Sequence, residues 1–259
     1  MEWAITLSGF GVGVLIGLTG VGGGSLMTPI LIFLFQISPI IAVGTDLLFA
    51  AITKIGGIWA HSRHGTIKWN IVGLLSAGSL PTALITVNFL EHFHKEGIHI
   101  DTLITGGLGV ALILTALSLL FKTSMHKFGN KVKGIIPRWE TLRSPVTVFA
   151  GILLGILVPV TSIGAGALGA AMLLFLYPRI PTKSIVGTDL AHAVPLTAIA
   201  GMGHMHMGTV DYLLLGSLIL GSLPGIYLGS HLSTKVPEKI MRPILASMLI
   251  LIGVKFMFS

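Results

Sequence analysis

Gly20-Val21-Gly22-Gly23-Gly24-Ser25 is a glycine-rich break in an apolar background, and Ile163-Gly164-Ala165-Gly166-Ala167 is its fainter copy. An apolar run follows each, and then the same five residues: Val43-Gly44-Thr45-Asp46-Leu47 and Val186-Gly187-Thr188-Asp189-Leu190. From Val43 onward the halves align without a gap at an offset of 143. That offset sets Gly65-Thr66-Ile67 on Gly208-Thr209-Val210 and Gly78-Ser79-Leu80-Pro81 on Gly221-Ser222-Leu223-Pro224. Ahead of Val43 the offset is 142, which places Gly22 on Gly164, Gly24 on Gly166 and Leu26 on Leu168. The chain is an internal duplication, and in such proteins the site usually lies between the units.

With 259 residues, 53% of them hydrophobic and 10% charged, and a mean hydropathy of +0.94, the chain carries more apolar surface than a soluble domain can hide. It reads as an integral membrane protein. The apolar runs are long and bounded by charges rather than alternating at period two, so helices are expected and not a porin-type barrel. The absence of cysteine excludes disulfides, iron–sulfur clusters and thiolate chemistry. The net charge of +7 resides in loops between apolar segments, where it reports topology rather than nucleic-acid binding. Residues 1–19 lack a basic n-region and a small-residue cleavage site, and read as the first membrane segment.

Ten apolar segments are predicted: Trp3 to Thr19, Ser25 to Phe35, Ala42 to Ala60, Trp69 to Phe89, Thr102 to Phe121, Val146 to Val160, Ala165 to Tyr177, Lys183 to Met202, Tyr212 to Leu232 and Lys239 to Phe258. They divide into a first membrane repeat (1–121), a basic linker (122–145) and a second membrane repeat (146–259). The segments beside the breaks run about 11 to 17 residues, short of the ~20 that cross a bilayer, and look like half-length helices. With the N- and C-termini outside, the inner loops hold thirteen of the sixteen basic residues, from Arg63 to Arg242. The outer loops and termini hold only Lys95 and Lys255, while Lys54 lies within a segment. This asymmetry follows the positive-inside rule, and the linker is then cytoplasmic, with anionic lipid head groups as a further contact. Five segments per half make the second half enter from the opposite face. The fold expected is therefore an all-α membrane protein of two inverted-topology repeats with glycine-broken helices, the usual construction of secondary transporters.

Consecutive glycines let the backbone leave helical geometry and bring N–H groups close to a ligand. A helix restarting at Ser25 or Ala165 would point free N–H groups and a partial positive charge into the gap, favouring an anion; the alternative is that glycine and alanine simply permit close helix packing. No strand precedes the first break and no Gly-Lys-Ser/Thr follows it, so it is neither a dinucleotide fingerprint nor a phosphate loop. Asp46 and Asp189 are carboxylates in membrane segments, where charge normally has a task. With Thr45 and Thr188 they read either as N-caps of the helices they begin or as cavity-lining groups that orient donors, accept a coupling proton or bind a cation. Lys54, two turns after Asp46 and on the same face, either supplies positive charge to the substrate path or forms an internal ion pair. His192 shares a face with Asp189. His61 and His204 are repeat equivalents, either proton-handling groups or ordinary interfacial residues. The outer histidines His92, His94, His99 and His206 suggest an alternative function, a divalent-metal permease that also uses Asp46 and Asp189. No nucleophile, base and orienter arrangement is visible, which argues against an enzyme.

The stretches GLTGVGGGSLMTPIL, AVGTDLLFAAITK, VGTDLAHAVPLTAIAGMGH and GSLPGIYLGSHL resemble the TauE/SafE family of membrane permeases, the sulfite exporters, over essentially the whole chain. The resemblance implies a multi-pass transporter in a prokaryotic plasma (inner) membrane that moves sulfite or a related organosulfur oxoanion. It points to Gly22, Gly23, Gly24, Ser25, Thr45, Asp46 and Lys54 in the first half, and to Gly164, Gly166, Thr188, Asp189, His192 and His204 in the second. The second break is poorer in glycine than the first, so the half-sites are expected to contribute unequally. With no cofactor, no nucleic acid and no ATP-binding motif expected, coupling falls to an ion gradient or another subunit. A homodimer is compatible with the sequence.

Overall fold

Wherever an apolar run is long enough to satisfy its own backbone, the chain is helical. The computed structural model describes residues 2–19, 24–97, 100–122, 124–125, 128, 139–232 and 238–258. Among these there are ten helices and no strand. The first half comprises α1 (Glu2–Thr19), α2 (Gly24–Phe35), α3 (Pro39–Arg63), α4 (Trp69–Lys95) and α5 (Asp101–Leu120). The second comprises α6 (Trp139–Thr161), α7 (Ala167–Leu176), α8 (Thr182–His206), α9 (Tyr212–Leu232) and α10 (Glu238–Met257). Six of them, α3, α4, α5, α6, α8 and α9, are long and apolar enough to cross a membrane. With 12 and 10 residues, α2 and α7 rise only roughly 18 and 15 Å, about half of a bilayer core. Large apolar side chains such as Leu84, Phe89, Leu213, Leu220 and Leu251 face outward, as a lipid solvent permits.

Several boundaries differ from the hydropathy reading. Helix α3 starts at Pro39, whose fixed φ suits a first helical position, so Thr45 and Asp46 stand in its interior; Thr188 and Asp189 likewise stand inside α8. None of the four caps its own helix, which corrects the N-cap reading. Helix α6 starts at Trp139, so residues 139–145 of the linker stretch are helical. Helices α4 and α8 continue through Lys95 and His206, so His92, His94, His204 and His206 belong to helix ends and not to loops.

The helices pair across the halves. Helix α1 packs along α9, and the equivalent α6 packs along α4; α3 packs on its own equivalent α8, and α5 on its equivalent α10. Both seams that involve α1 and α6 run backbone to backbone. On α1, a Cβ at Gly13 would stand 2.5 Å from Ser222 O, and one at Gly9 would stand 2.8 Å from Leu218 O. On α9, Gly221, Gly225 and Gly229 lie against the backbone at Thr6, Phe10 and Val14. Small residues every fourth position let membrane helices approach this closely, and dispersion and weak C–H···O contacts then hold them. Gly78, Gly151 and Gly155 line the α4–α6 seam in the same way.

The central pair, α3 and α8, is buried on most sides, with Ala42, Val43, Leu47, Phe49, Ala191, Ala193, Leu196 and Ala200 all in the core. Its ends are pinned reciprocally. The Thr45 hydroxyl accepts from the Asp211 N–H at 3.0 Å, at the start of α9. The equivalent Thr188 hydroxyl accepts from the Lys68 N–H at 3.0 Å, at the start of α4. Gly44 lies against His204 and Gly187 against His61, again at equivalent positions.

The seams yield a contrast within one helix pair. Gly225→Ala or Gly13→Ala places a methyl against the partner backbone and is expected to destabilise by about 1–3 kcal/mol, whereas Gly11→Ala, which meets open space, is expected to be neutral or slightly stabilising. Thermal unfolding of the purified variants in detergent checks this; equal melting temperatures for Gly11→Ala and Gly225→Ala would contradict the packing account.

Candidate functional site

Between α6 and α7 the chain leaves helical geometry over five residues. Ser162 takes φ 57°, Gly164 φ 122° and Gly166 φ 151°; the last two are strained for any residue with a Cβ, which is why glycine is found there. Buried irregular backbone must find partners for its polar groups, and several of those partners are identifiable here. Thr161 Oγ1 accepts from the Ile163 N–H at 3.1 Å, so the Pro159 carbonyl loses its usual i+4 donor. His204 Nε2 supplies the replacement at 3.0 Å; since a carbonyl can only accept, that nitrogen carries the proton. The Gly169 N–H bonds back to Gly164 O, which leaves Ala165 O unclaimed. Lys54 Nζ, reaching from α3 of the other half, donates to it at 2.7 Å.

Lys54 is 6% exposed and its ammonium interacts electrostatically with Asp189 and Asp46. Asp46 is fully buried. Its Oδ2 accepts from the Thr28 hydroxyl of α2 at 2.5 Å, while Ser162 Oγ lies near the same carboxylate without completing a hydrogen bond. Asp189 Oδ1 lies against the α7 backbone at Gly169, where a Cβ would collide with it. Neither Asp46 Oδ1 nor Asp189 Oδ1 has a hydrogen-bond partner among the described residues. One turn along α8 from Asp189, His192 Nε2 meets Ser79 Oγ of α4 at 2.7 Å, and its Nδ1 is unpartnered. A small cavity of ≈ 40 Å³ opens beside Asp189, walled by Gly166, Ala167, Ala170 and Ser118, with Lys122 at its edge. That is room for about three water molecules.

The structure thus brings Asp46, Lys54, Gly164, Gly166, Asp189 and His192 together around the second break. Ser25 is buried at the start of α2. Gly22 and Gly23 lie outside the described residues, and of Gly24 only its place as the first residue of α2 is described. Thr45 and Thr188 stand on the same helices with their hydroxyls committed to α9 and α4. Of the two coupling candidates, His204 is fully buried with both nitrogens engaged, Nδ1 by Thr209 Oγ1 at 3.0 Å; His61 pairs with Thr66 Oγ1 at 2.8 Å. The outer histidines do not converge: His92 contacts Glu96 at 3.2 Å and His206 contacts Glu91 at 3.6 Å. His99 lies outside the described residues, and among those described no three His, Asp or Glu side chains are placed to hold a metal ion.

Thr28, Ser79, Ser162 and the Ala165 carbonyl were not singled out from the sequence. Ser79 lies in the duplicated Gly-Ser-Leu-Pro motif, a usable signal. The duplication also explains an asymmetry: at its offsets Lys54 falls on Thr197, His192 on Phe49 and Thr28 on Ala170. Both halves supply a carboxylate, but the cation and the unpartnered imidazole nitrogen are single.

A family model described as Sulfite exporter TauE/SafE matches residues 5–256. The chain belongs to the TauE/SafE family. Relatives in Bacillus subtilis (strain 168) cover it almost end to end. The probable membrane transporter protein YjnA is 39% identical over 259 residues, covering 98% of this chain and 99% of YjnA. The probable membrane transporter proteins YunE and YdhB are 27% and 28% identical, over 98% and 95% of this chain and 97% and 99% of their own. No solved structure matches significantly. This TauE/SafE member is a multi-pass membrane transporter, and the charged cluster lies in its buried centre.

Asp46 and Asp189 act on the buried Lys54 ammonium through the low-dielectric interior rather than by direct contact, and this implies a strong dependence on that ammonium. Lys54→Met is expected to destabilise the TauE/SafE fold by about 3–5 kcal/mol, as removal of one member of a buried ion group does, and Asp189→Asn added to it should recover a substantial part. Melting temperatures of the two variants test this; a double variant no more stable than Lys54→Met would refute the pairing.

Proposed function

We propose that the protein is a secondary transporter that carries a small anion, sulfite or a related organosulfur oxoanion, across a prokaryotic plasma membrane by alternating access. One observation carries this reading: the buried Lys54 ammonium donates to the Ala165 carbonyl at the helix interruption, with a carboxylate from each half acting on it electrostatically. The family description supplies the substrate class, and the cavity beside Asp189 is in the size range of a four-heavy-atom oxoanion.

Asp46 and Asp189 repel an anion, so the substrate is bound by the groups that can turn toward it. The Lys54 ammonium exchanges Ala165 O for a substrate oxygen. The first N–H groups of α7 and the His192 side chain add donors, and the partial positive charge of the α7 N-terminus favours the bound charge. The first break, with Gly22, Gly23, Gly24 and Ser25 at the start of α2, forms the weaker half-site. As the ammonium turns away, a carboxylate loses its counter-charge in a low-dielectric site and takes up a cation, the proton being the smallest. Anion and proton then move together, which limits the charge carried through the centre.

The exchanged helix pairs and the reciprocal Thr45–Asp211 and Thr188–Lys68 bonds support a two-fold relation between the halves. Five segments per half put its axis in the membrane plane, which makes the repeats inverted, and the basic residues put both termini outside. Rocking of α3 against α8, with Lys54 reaching from α3 to the break ahead of α7, alternates access.

Flux into proteoliposomes tests the reading. Sulfite is expected to cross faster with protein than without, to be driven by an imposed proton gradient, and to fall at least a hundredfold in Lys54→Gln while Lys54→Arg keeps partial activity. Sulfite and sulfonate flux equal to that of protein-free vesicles, or undiminished in correctly folded Lys54→Gln, would overturn it.

A further inference from the structure

A second, larger cavity of ≈ 380 Å³ opens at the end of the bundle where α4 and α6 begin and α7 gives way to α8. Its walls include Lys68, Trp139, Arg143, Tyr177 and Arg179, and no acidic side chain lines it among the described residues. Arg143 is pre-oriented, its guanidinium lying 4.5 Å over the Tyr177 ring, and Tyr177 is itself fixed by a 2.9 Å hydrogen bond with Thr147. Stacking leaves the edge of a guanidinium free to donate in the plane of its fork. Arg179 has Glu140 at 3.6 Å, with both side chains largely exposed, a weak pairing that a stronger anion displaces. Trp139 is 7% exposed, and its indole N–H has no hydrogen-bond partner among the described residues. Buried indole N–H groups normally find one. The first turns of α4 and α6 both face this cavity, and their positive ends add to the three cations.

The chemistry required is that of a compact, multiply accepting anion, which describes a phosphate group. The surroundings favour one source. Ile71, Leu74 and Ile180 make an apolar wall beside the basic groups, and Trp69 and Leu142, in the same first turns, are exposed. Basic side chains at the head of an apolar surface, with tryptophan alongside, match the membrane interface, where phosphate and acyl chain are covalently joined. We propose that this cavity binds the phosphate group of an anionic phospholipid, with Arg143 and Arg179 as forked donors and Lys68 as a point charge.

The test uses the purified full chain in an uncharged detergent, titrated separately with phosphatidylglycerol, phosphatidylcholine and inorganic phosphate. Native mass spectrometry gives the affinity and thermal unfolding the stabilisation. Phosphatidylglycerol is expected to bind and raise the melting temperature by mass action, while phosphatidylcholine and millimolar phosphate leave it unchanged. Arg143→Gln and Arg179→Gln should each weaken phosphatidylglycerol binding about fivefold, and together on the order of 25-fold. Lys95→Gln, at the far end of α4, should bind as the parent does. The contrast between the two lipids on the parent chain is a readout available even if an arginine variant folds poorly. Equal binding of the two lipids, phosphatidylglycerol affinity unchanged in the double variant, or stabilisation by inorganic phosphate as large as by phosphatidylglycerol would each overturn the assignment. None of these results bears on the sulfite reading, which concerns the separate centre at Lys54.

Discussion

Inside a bilayer every backbone carbonyl that leaves a helix must be met by a protein donor, and the architecture around residues 162–166 follows from that constraint. A helix broken inside the protein leaves carbonyls that have lost their helical donors. Two of them, Pro159 O and Ala165 O, are met by side chains that reach across from another helix, the His204 imidazole and the Lys54 ammonium. The ammonium in turn requires negative charge nearby, which Asp189 and Asp46 provide. Asp189 needs room beside α7, and Gly169 gives it that space. The break therefore ties α3 of one half to α7 and α8 of the other.

The same constraint explains why the helices exchange partners between halves. A half-length helix such as α7 cannot satisfy or shield a broken centre by itself. The glycine seams let full-length helices approach at backbone distance, and the centre is enclosed by helices from both repeats. The duplication provides two carboxylates, while Lys54 and His192 occur once because the equivalent positions hold Thr197 and Phe49. A symmetric scaffold thus carries an asymmetric site.

Much of this is legible in the letters. Hydropathy located all ten helices, and the expense of charge in hydrocarbon marked Asp46, Lys54 and Asp189, since few other ionisable residues interrupt the apolar runs. The ends of helices were less legible. Trp139 to Pro145 and Glu91 to Lys95 are helical, yet polar enough at the interface to read as loops; helix α3 begins at Pro39, ahead of the Ala42 boundary expected from hydropathy, which places Thr45 and Asp46 in its interior rather than at a cap. The partners Thr28 and Ser162 and the carbonyls of Pro159 and Ala165 were not legible, because neutral hydroxyls and backbone atoms carry no compositional signature. The four-residue glycine spacing at 9, 13 and 17 and at 221, 225 and 229 was a signal for the α1–α9 seam, readable only once the two segments were known to face each other. The histidines at the ends of α4 and α8 show the converse: among the described residues, abundance in sequence did not become a metal-holding cluster in space.

The central claim is that substrate competes for the Lys54 ammonium, and the most direct measurement is the side-chain 15N resonance of Lys54 in lysine-labelled protein, assigned by its loss in Lys54→Arg. On titration with sulfite the account expects that resonance to shift saturably, with chloride at equal ionic strength leaving it in place. A Lys54 resonance unmoved at sulfite concentrations that saturate binding to the protein would contradict the account.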